Sequence, residues 1–274
     1  AWTFEDEALV RDLETIIAGQ RRFWGDPNAP FFVTLTQLPS VPDRSTSGGT
    51  GLRDGYALYA TPNVVLQRLT RLLAHEGQHT WIPHQVGRMP DADEAASYWF
   101  SEGFTDFYAP RILVRQGLWG AREFTDDLIE MLRAYAASRE RSAPNARIVE
   151  ARQKLWMVEA LPYQRGRLFA TLIDAQLRTR GRDLDDVMVE MRRRAPASGM
   201  LATELFAAVM RDMGLPVEEE VRRFIERGEP ILLPQDTFAP CGVLATRGVR
   251  QELVLDPNLE GARLDACLRV LGGA

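Results

Sequence analysis

The sequence lacks the features that mark three common classes of protein. No apolar run approaches the roughly 18–20 residues that a membrane-spanning helix needs. The formal net charge is −5, whereas proteins dedicated to nucleic-acid binding usually carry a strong basic excess. Only two of the 274 residues are cysteines, too few for a small fold held together by disulfides. Hydrophobic residues make up 45% of the chain, and this ordinary globular composition predicts one large domain or two modest ones.

The cysteines and the first residue leave the compartment open. Cys241 and Cys267 form no Cys-x-x-Cys motif, and their spacing is compatible with one disulfide or with two buried free thiols. The chain begins with Ala1 rather than Met, and no charged-then-apolar leader follows. We therefore expect a processed or excised piece of a longer protein.

The periodicity of apolar residues predicts an α+β fold that is predominantly helical. Strands are predicted at 31–38 and 56–60, separated by a loop at 39–51. A helix is expected from Thr61, as its N-cap with Pro62 at the first helical position, to about Trp81. The other predicted elements are helices at 3–22, at 98–109 with a possible break near Pro110, and at 121–138, 163–179, 184–195, 200–213 and 217–227, with short strands at 243–245 and 252–255.

Two of the three histidines lie in an H-E-x-x-H motif at residues 75–79. Residues four apart share one face of a helix, so the imidazoles of His75 and His79 can point at one ion. Neutral imidazole is a good ligand of Zn²⁺. The intervening Glu76 would lie beside the water that such an ion activates, and could take its proton.

A catalytic zinc needs a third protein ligand and one open position. Glu102 is the main candidate, because it is flanked by aromatic residues on a helix that must be largely buried, where a carboxylate is costly unless it is paired or metal-bound. Asp106 lies one turn on and could accept the far N–H of a liganding histidine. His84 is the rival ligand, although its place in a loop five residues past His79 favours a position at the rim.

The motif region resembles a known group of enzymes. HEGQHTW at 75–81 and YWFSEGFTDFYA at 98–109 look like the gluzincin metallopeptidases, which carry H-E-x-x-H on one helix and a zinc-binding Glu on the next. The closer resemblance is to the glycyl aminopeptidase family, whose members often carry a PDZ domain. Its segments are also similar to PYQRGRL at 162–168, DLDDVM at 183–188, and FIERG at 224–228 with the following Leu-Pro.

The resemblance implies a thermolysin-like catalytic domain with a small N-terminal sheet and a C-terminal helical bundle. Residues 1–82 would supply the first helix, the sheet and the zinc-motif helix, residues 83–240 the helical part, and residues 241–274 a C-terminal extension. The family's N-terminal β-domain has no counterpart here, and no PDZ-like segment follows residue 245. Family members are often bacterial and exported, which implies a periplasmic or secreted protein.

The resemblance also implies residue roles. His75, His79 and Glu102 would be zinc ligands, with Glu76 as general base and acid. In related aminopeptidases, a tyrosine about 60 residues past the ligand Glu donates to the tetrahedral oxyanion, and Tyr163 lies at the matching interval.

One stretch departs from the family pattern. The family has Gly-Gly-Leu-Glu-His on a strand that faces the substrate, and in related aminopeptidases a Glu there holds the free amine. The counterpart here includes Gly51, Leu52, Arg53 and Asp54. Arg53 replaces the acid and cannot bind an ammonium group. Either Asp54 takes that role with a shift of register, or aminopeptidase specificity is altered or lost.

The leading hypothesis is a zinc-dependent peptidase, aminopeptidase-like, that acts on a peptide substrate. A degenerate peptidase that serves as a peptide-binding or scaffold module is the alternative, and zinc-dependent hydrolysis of a non-peptide ester or amide is a third. The expected cofactor is Zn²⁺, and no nucleic-acid partner is expected. The sequence leaves the oligomeric state and the preferred substrate residue open.

Overall fold

The computed structural model describes residues 2–26, 30–52, 54–152 and 160–273. The predicted α+β fold, predominantly helical with small sheets, is confirmed, while its thermolysin-like detail and the division into three segments stay predictions. In chain order the elements are α1 (Asp6–Trp24), β1 (Phe32–Gln37), β2 (Ser47–Leu52), β3 (Gly55–Ala60), α2 (Leu66–Gln78), a 3₁₀ turn (Glu94–Ser97), α3 (Tyr98–Arg115), α4 (Ala121–Ala137), α5 (Asn145–Arg152), α6 (Leu161–Arg178), α7 (Leu184–Ser198), α8 (Ala202–Asp212), α9 (Glu218–Glu220) with a π-helical turn (Val221–Glu226), β4 (Gly242–Arg247), β5 (Arg250–Leu255) and α10 (Gly261–Gly272).

The N-terminal sheet has the strand order β1-β3-β2. β1 runs parallel to β3, and β2 runs antiparallel to it with Gly51 opposite Tyr56. The central strand β3 buries Tyr56, Leu58 and Ala60 on one face, in line with the two-residue period of a strand. This face packs toward α2, so the sheet covers the helix that carries the H-E-x-x-H motif.

The prediction of a loop at 39–51 is wrong in its second half, because Ser47–Leu52 forms the edge strand β2. Glycine-rich segments have low strand propensity, so the sequence hides this strand. Its glycines allow a close approach to α2: a methyl group at Gly51 would lie 2.4 Å from Cβ of His79, and one at Gly49 would lie 2.8 Å from Cγ of Glu76. At these two positions, only glycine leaves enough room for the strand to pack against α2.

The predicted start of the motif helix is also wrong. α2 begins at Leu66, after Val65 as N-cap, and ends at Gln78. The hydroxyl of Thr61 accepts a hydrogen bond from the backbone N–H of Thr46 at 3.0 Å, so it joins two loops instead of capping the helix. Non-local contacts have here overridden a local capping signal.

α3 continues through Pro110, contrary to the predicted break. A proline in a helix removes one backbone hydrogen bond. Every residue of α3 from Gly103 to Val114 is buried, and this extensive packing outweighs the local loss. Among the described residues, no helix is long and apolar enough to cross a bilayer.

α3 and α6 make the most extensive contact among the described helices. They cross at two glycines: a methyl group at Gly103 would lie 2.3 Å from Cα of Gly166, and one at Gly166 would lie 1.8 Å from the carbonyl oxygen of Trp99. The two backbones therefore touch directly. This crossing fixes the position of Glu102, next to Gly103, relative to the N-terminal end of α6.

The later helices and the C-terminal strands confirm the predicted elements, with two additions. α5 and α10 were not expected, and α10 lies in a region predicted to be irregular. The predicted helix at 217–227 is present as α9 followed by the π-helical turn. Cys241 and Cys267 form a disulfide that joins the start of β4 to α10, which settles the alternative that their spacing left open.

Candidate metal centre and its surroundings

The last turn of α2 carries the H-E-x-x-H motif toward α3. His75 and Glu76 are both buried, with 6% of each residue exposed. His79 lies at the C-cap of the helix, and its backbone N–H is bonded to the carbonyl oxygen of Glu76. The spacing of four residues brings the two rings to 5.0 Å between centroids. The imidazoles therefore share one face of the helix, as the sequence predicts.

Glu102 on α3 closes the cluster. One oxygen of its carboxylate, Oε2, lies 3.4 Å from Nε2 of His75 and 3.4 Å from Nε2 of His79. Among the described residues, these three form the group of His, Cys, Asp and Glu side chains that could hold a metal ion, with their ligand atoms within 4.8 Å of one another. His84, the rival ligand, is exposed and lies outside this group.

The donor set fits zinc. Ligand atoms about 2.0–2.1 Å from a tetrahedral zinc ion are separated from each other by about 3.3 Å, close to both distances measured here. Two imidazoles and one carboxylate also leave a fourth position open, as catalytic zinc requires.

The other nitrogen of each imidazole lies near an acceptor of the protein. Nδ1 of His75 lies 3.3 Å from Oδ1 of Asp106, and Nδ1 of His79 lies 3.0 Å from the carbonyl oxygen of Ile82. Partners of this kind hold the ring in orientation and leave Nε2 for a metal. The predicted place of Asp106 beside a cluster histidine agrees with this geometry.

The electrostatics of the cluster favour a cation. Burial lowers the pKa of His75, but hydrogen bonds and the charges of Asp106 and Glu102 outweigh it and raise this pKa to about 9. Burial acts to raise the pKa of Glu102, yet His75 and His79 hold it well below its usual range. Both shifts stabilise a positive charge between the imidazoles and the carboxylates, which a metal ion can supply in place of a proton.

The side chain of Glu76 lies against the sheet and is not one of the three ligand-type groups. A methyl group at Gly49 of β2 would lie 2.9 Å from its carboxylate carbon. Burial raises the pKa of Glu76, and the charge of Glu102 adds to this, while the two histidines act in the opposite direction. A raised pKa makes a carboxylate a stronger base, which suits a group that accepts a proton.

Tyr163 comes from α6 and reaches the same cluster. Its ring stacks on that of His75, with centroids 5.9 Å apart and planes at 24°. The structure thus brings together His75, Glu76, His79, Glu102 and Tyr163, which lie up to 88 residues apart in the sequence.

Three of the four predicted substrate-binding residues, Gly51, Leu52 and Asp54, lie at or just after the end of β2. Gly51 packs on His79, whereas Leu52 is 56% exposed. Asp54 is exposed and begins the turn into β3. Arg53 lies outside the described residues, so the exchange of the family's acid for arginine is known from the sequence alone.

Sequence reasoning missed a set of charges behind the cluster. Arg71, Asp127 and Arg167 surround Asp106 and form ion pairs with it or with each other. They lie on α2, α4 and α6, so no short motif contains them. One signal was available: Arg71 precedes His75 by four residues and Arg167 follows Tyr163 by four, which puts each arginine on the same helix face as a site residue.

The sequence of this region matches a known family. Residues 68–165 match the M61 glycyl aminopeptidase family. The predicted resemblance to the glycyl aminopeptidases is confirmed. The glycyl aminopeptidase-like segment contains the two motif histidines and the three side chains that gather around them, Glu76, Glu102 and Tyr163. No curated protein sequence matches the chain.

The fold is similar to that of a solved aminopeptidase N family protein from Idiomarina loihiensis. The similarity has a TM-score of 0.69 at 17% sequence identity, and it covers 90% of this chain. The chain spans 47% of the length of that protein. At this identity the comparison shows a shared fold.

Proposed function

We propose that the protein is a zinc-dependent metallopeptidase with aminopeptidase-like activity on peptides. The observation that carries the proposal is the convergence of His75, His79 and Glu102, with equal distances of 3.4 Å from the carboxylate to each imidazole. The match to the glycyl aminopeptidases supports peptide hydrolysis as the reaction. The disulfide supports an exported protein, because disulfides persist in oxidising compartments.

His75, His79 and Glu102 would hold the ion. When bound, zinc supplies a Lewis acid that acidifies a water molecule and polarises the scissile carbonyl group. Glu76 takes a proton from the attacking water and returns it to the leaving amine, and its raised pKa favours the first of these two steps. Tyr163 donates a hydrogen bond to the carbonyl oxygen as negative charge develops there.

Replacement of Glu76 tests this mechanism. Glu76→Gln keeps the size of the side chain and changes none of the proposed ligands, so we expect stoichiometric zinc and a loss of peptide hydrolysis of about 100-fold to 10,000-fold. Glu130→Gln, on the exposed side of α4, is the matched control and should behave as the wild type. Zinc content by elemental analysis and initial rates on short peptides are the measurements. Wild-type turnover in Glu76→Gln would contradict the proposed role.

Peptides with free and with acetylated N-termini separate the candidate activities. Release of N-terminal residues from free peptides alone supports an aminopeptidase, and internal cleavage of both kinds supports an endopeptidase. The specific observation behind a second candidate is Arg53, which stands where related aminopeptidases hold the free amine with an acid. Zinc binding without turnover on either peptide would favour the peptide-binding module, and turnover only on non-peptide esters or amides would favour the third hypothesis.

A further inference from the structure

Four charged side chains form a closed ring behind His75, and we call them the charge ring: Arg71, Asp106, Asp127 and Arg167. Nη2 of Arg71 lies 2.8 Å from Oδ1 of Asp106, and Nε of Arg71 is bonded to Oδ1 of Asp127. Nη2 of Arg167 lies 2.6 Å from Oδ2 of Asp127, and its Nη1 lies 3.9 Å from Oδ2 of Asp106. Each arginine therefore faces both carboxylates.

The ring carries two positive and two negative charges, so it is neutral as a whole. It is also largely withdrawn from water: the side chain of Arg167 is 2% exposed and that of Asp127 is 12% exposed. Burial acts to raise the pKa of Asp127, but Arg167 and Arg71 hold it below its usual range. Buried ion pairs contribute little net stability compared with apolar packing, so stability alone is a weak explanation for this arrangement.

The ring instead connects the metal cluster to the helices around it. Oδ1 of Asp106 faces both Nδ1 of His75 and Nη2 of Arg71, so the arginine fixes the carboxylate that orients the imidazole. Asp127 on α4 in turn holds Arg71 and Arg167. Arg167 lies one turn after Tyr163 on α6, so the same ring also ties the helix that supplies the stacking tyrosine.

We propose that Asp127 is a positioning residue of the metal site: it holds Arg71 and Arg167 so that Asp106 orients His75 for zinc. The ion pairs of Asp127 are with Arg71 and Arg167, so its effect on His75 passes through Asp106. The inference rests on the proposed zinc site, and it adds a residue from α4 that neither the motifs nor the ligand geometry includes.

Zinc affinity of the metal-free protein tests this role without any measurement of activity. Asp127→Asn keeps the shape of the side chain and removes its charge. We expect it to weaken zinc binding about tenfold in a chelator competition, at the lower end of the effect of groups that orient metal ligands. The matched control is Asp126→Asn, the exposed neighbour on α4, which should bind zinc within twofold of the wild type.

A double-mutant cycle with Asp106→Asn separates positioning from general destabilisation. If Asp127 acts through Asp106, the double variant should bind zinc no more than about twofold more weakly than Asp106→Asn alone. Losses that multiply in the double variant would overturn the proposal, because Asp127 would then act independently of Asp106. Unchanged zinc affinity in Asp127→Asn would overturn it as well.

Arg71→Lys covers the case in which Asp127→Asn does not fold. Arg71 is 28% exposed, and a lysine ammonium cannot span both carboxylates with a planar fork. We expect zinc affinity several-fold below the wild type, and wild-type affinity in this variant would overturn the proposal. A wild-type protein that binds no zinc would contradict both the proposed function and the positioning role. If the wild type binds zinc and the variants of the charge ring bind it with the same affinity, only the positioning role is contradicted.

Discussion

The contact between Tyr163 and His75 gives one aromatic side chain two tasks. Stacking at 5.9 Å limits the rotation of the imidazole on the side that faces α6. The same contact brings the tyrosine to the candidate metal centre, where in the proposed mechanism its phenol donates a hydrogen bond to developing negative charge. Its hydroxyl group can therefore be removed while the stacking ring is kept.

Tyr163→Phe is expected to lower kcat by about 100-fold to 1,000-fold, the usual effect of removing one donor to an oxyanion. The zinc content and KM should change little, because the ring and the ligands stay in place. The control is Tyr59→Phe on the exposed face of β3, which should leave both constants unchanged. Steady-state kinetics on one peptide provide the measurement. A rise in KM with unchanged kcat would instead assign the hydroxyl to substrate binding.

Among the residues of the candidate site, those that belong to a local sequence pattern could be predicted from the sequence. The spacing of His75, Glu76 and His79 predicts their grouping, since four residues complete about one helical turn. Glu102 stood out as a carboxylate among aromatic neighbours. Asp127 gave no such signal, because its partners come from other helices and only the packing of α4 against them brings it near Arg71.

Among the helices, the crossing of α3 and α6 sets the width of the site. Glu102 comes from one of these helices and Tyr163 from the other, and each lies within three residues of the glycine at the crossing. Any group that separates the backbones at Gly103 and Gly166 would move both side chains relative to α2. The site therefore depends on two positions that take no part in its chemistry.

Gly166→Ala should destabilise the protein by about 1–3 kcal/mol, the usual cost of added volume in a packed core, or by more because the added methyl meets backbone atoms. We also expect lower kcat at unchanged protein concentration, as Glu102 and Tyr163 move apart. Urea unfolding and kinetics are the measurements. Gly120→Ala is a suitable control, since a methyl group there meets only the flexible Glu123 side chain at 3.2 Å. Equal stability of both variants would contradict the close crossing.

The elements missed in the sequence had weak local signals and strong tertiary support. β2 contains three glycines among its six residues, and a strand of this composition forms only when a neighbour such as β3 supplies the hydrogen bonds and α2 fills the space. α10 has apolar residues at helical spacing, including Leu264 and Leu271, but these were not recognised in a region that also holds turn residues. Long, strongly periodic helices such as α4 were predicted within one residue at each end.

Across the whole molecule, the hydrophobic core extends from α1 to the C-terminal helix. Leu244 and Leu253 of the β4–β5 hairpin, and Leu271 of α10, belong to the same cluster of buried residues as the interior of α3. Arg115 on α3 also donates to the carbonyl oxygen of Gly272 at 2.9 Å. The region predicted as an extension is thus packed into the core.

The disulfide should stabilise this arrangement chiefly through the unfolded state. Cys241 and Cys267 are 26 residues apart, and closing a loop of this size in the unfolded chain is worth about 3.5 kcal/mol in the chain-entropy description. We therefore expect the free energy of unfolding in urea to fall by about that amount when the protein is unfolded and refolded with a thiol reductant. Cys241→Ala/Cys267→Ala is the control, because its stability should not respond to the reductant.

Both cysteines are fully buried, so reduction should require unfolding, and thiol titration of the denatured, unreduced protein should find no free thiol. Two free thiols in that titration would show that the pair is reduced, and the support it lends to an oxidising compartment would then be lost.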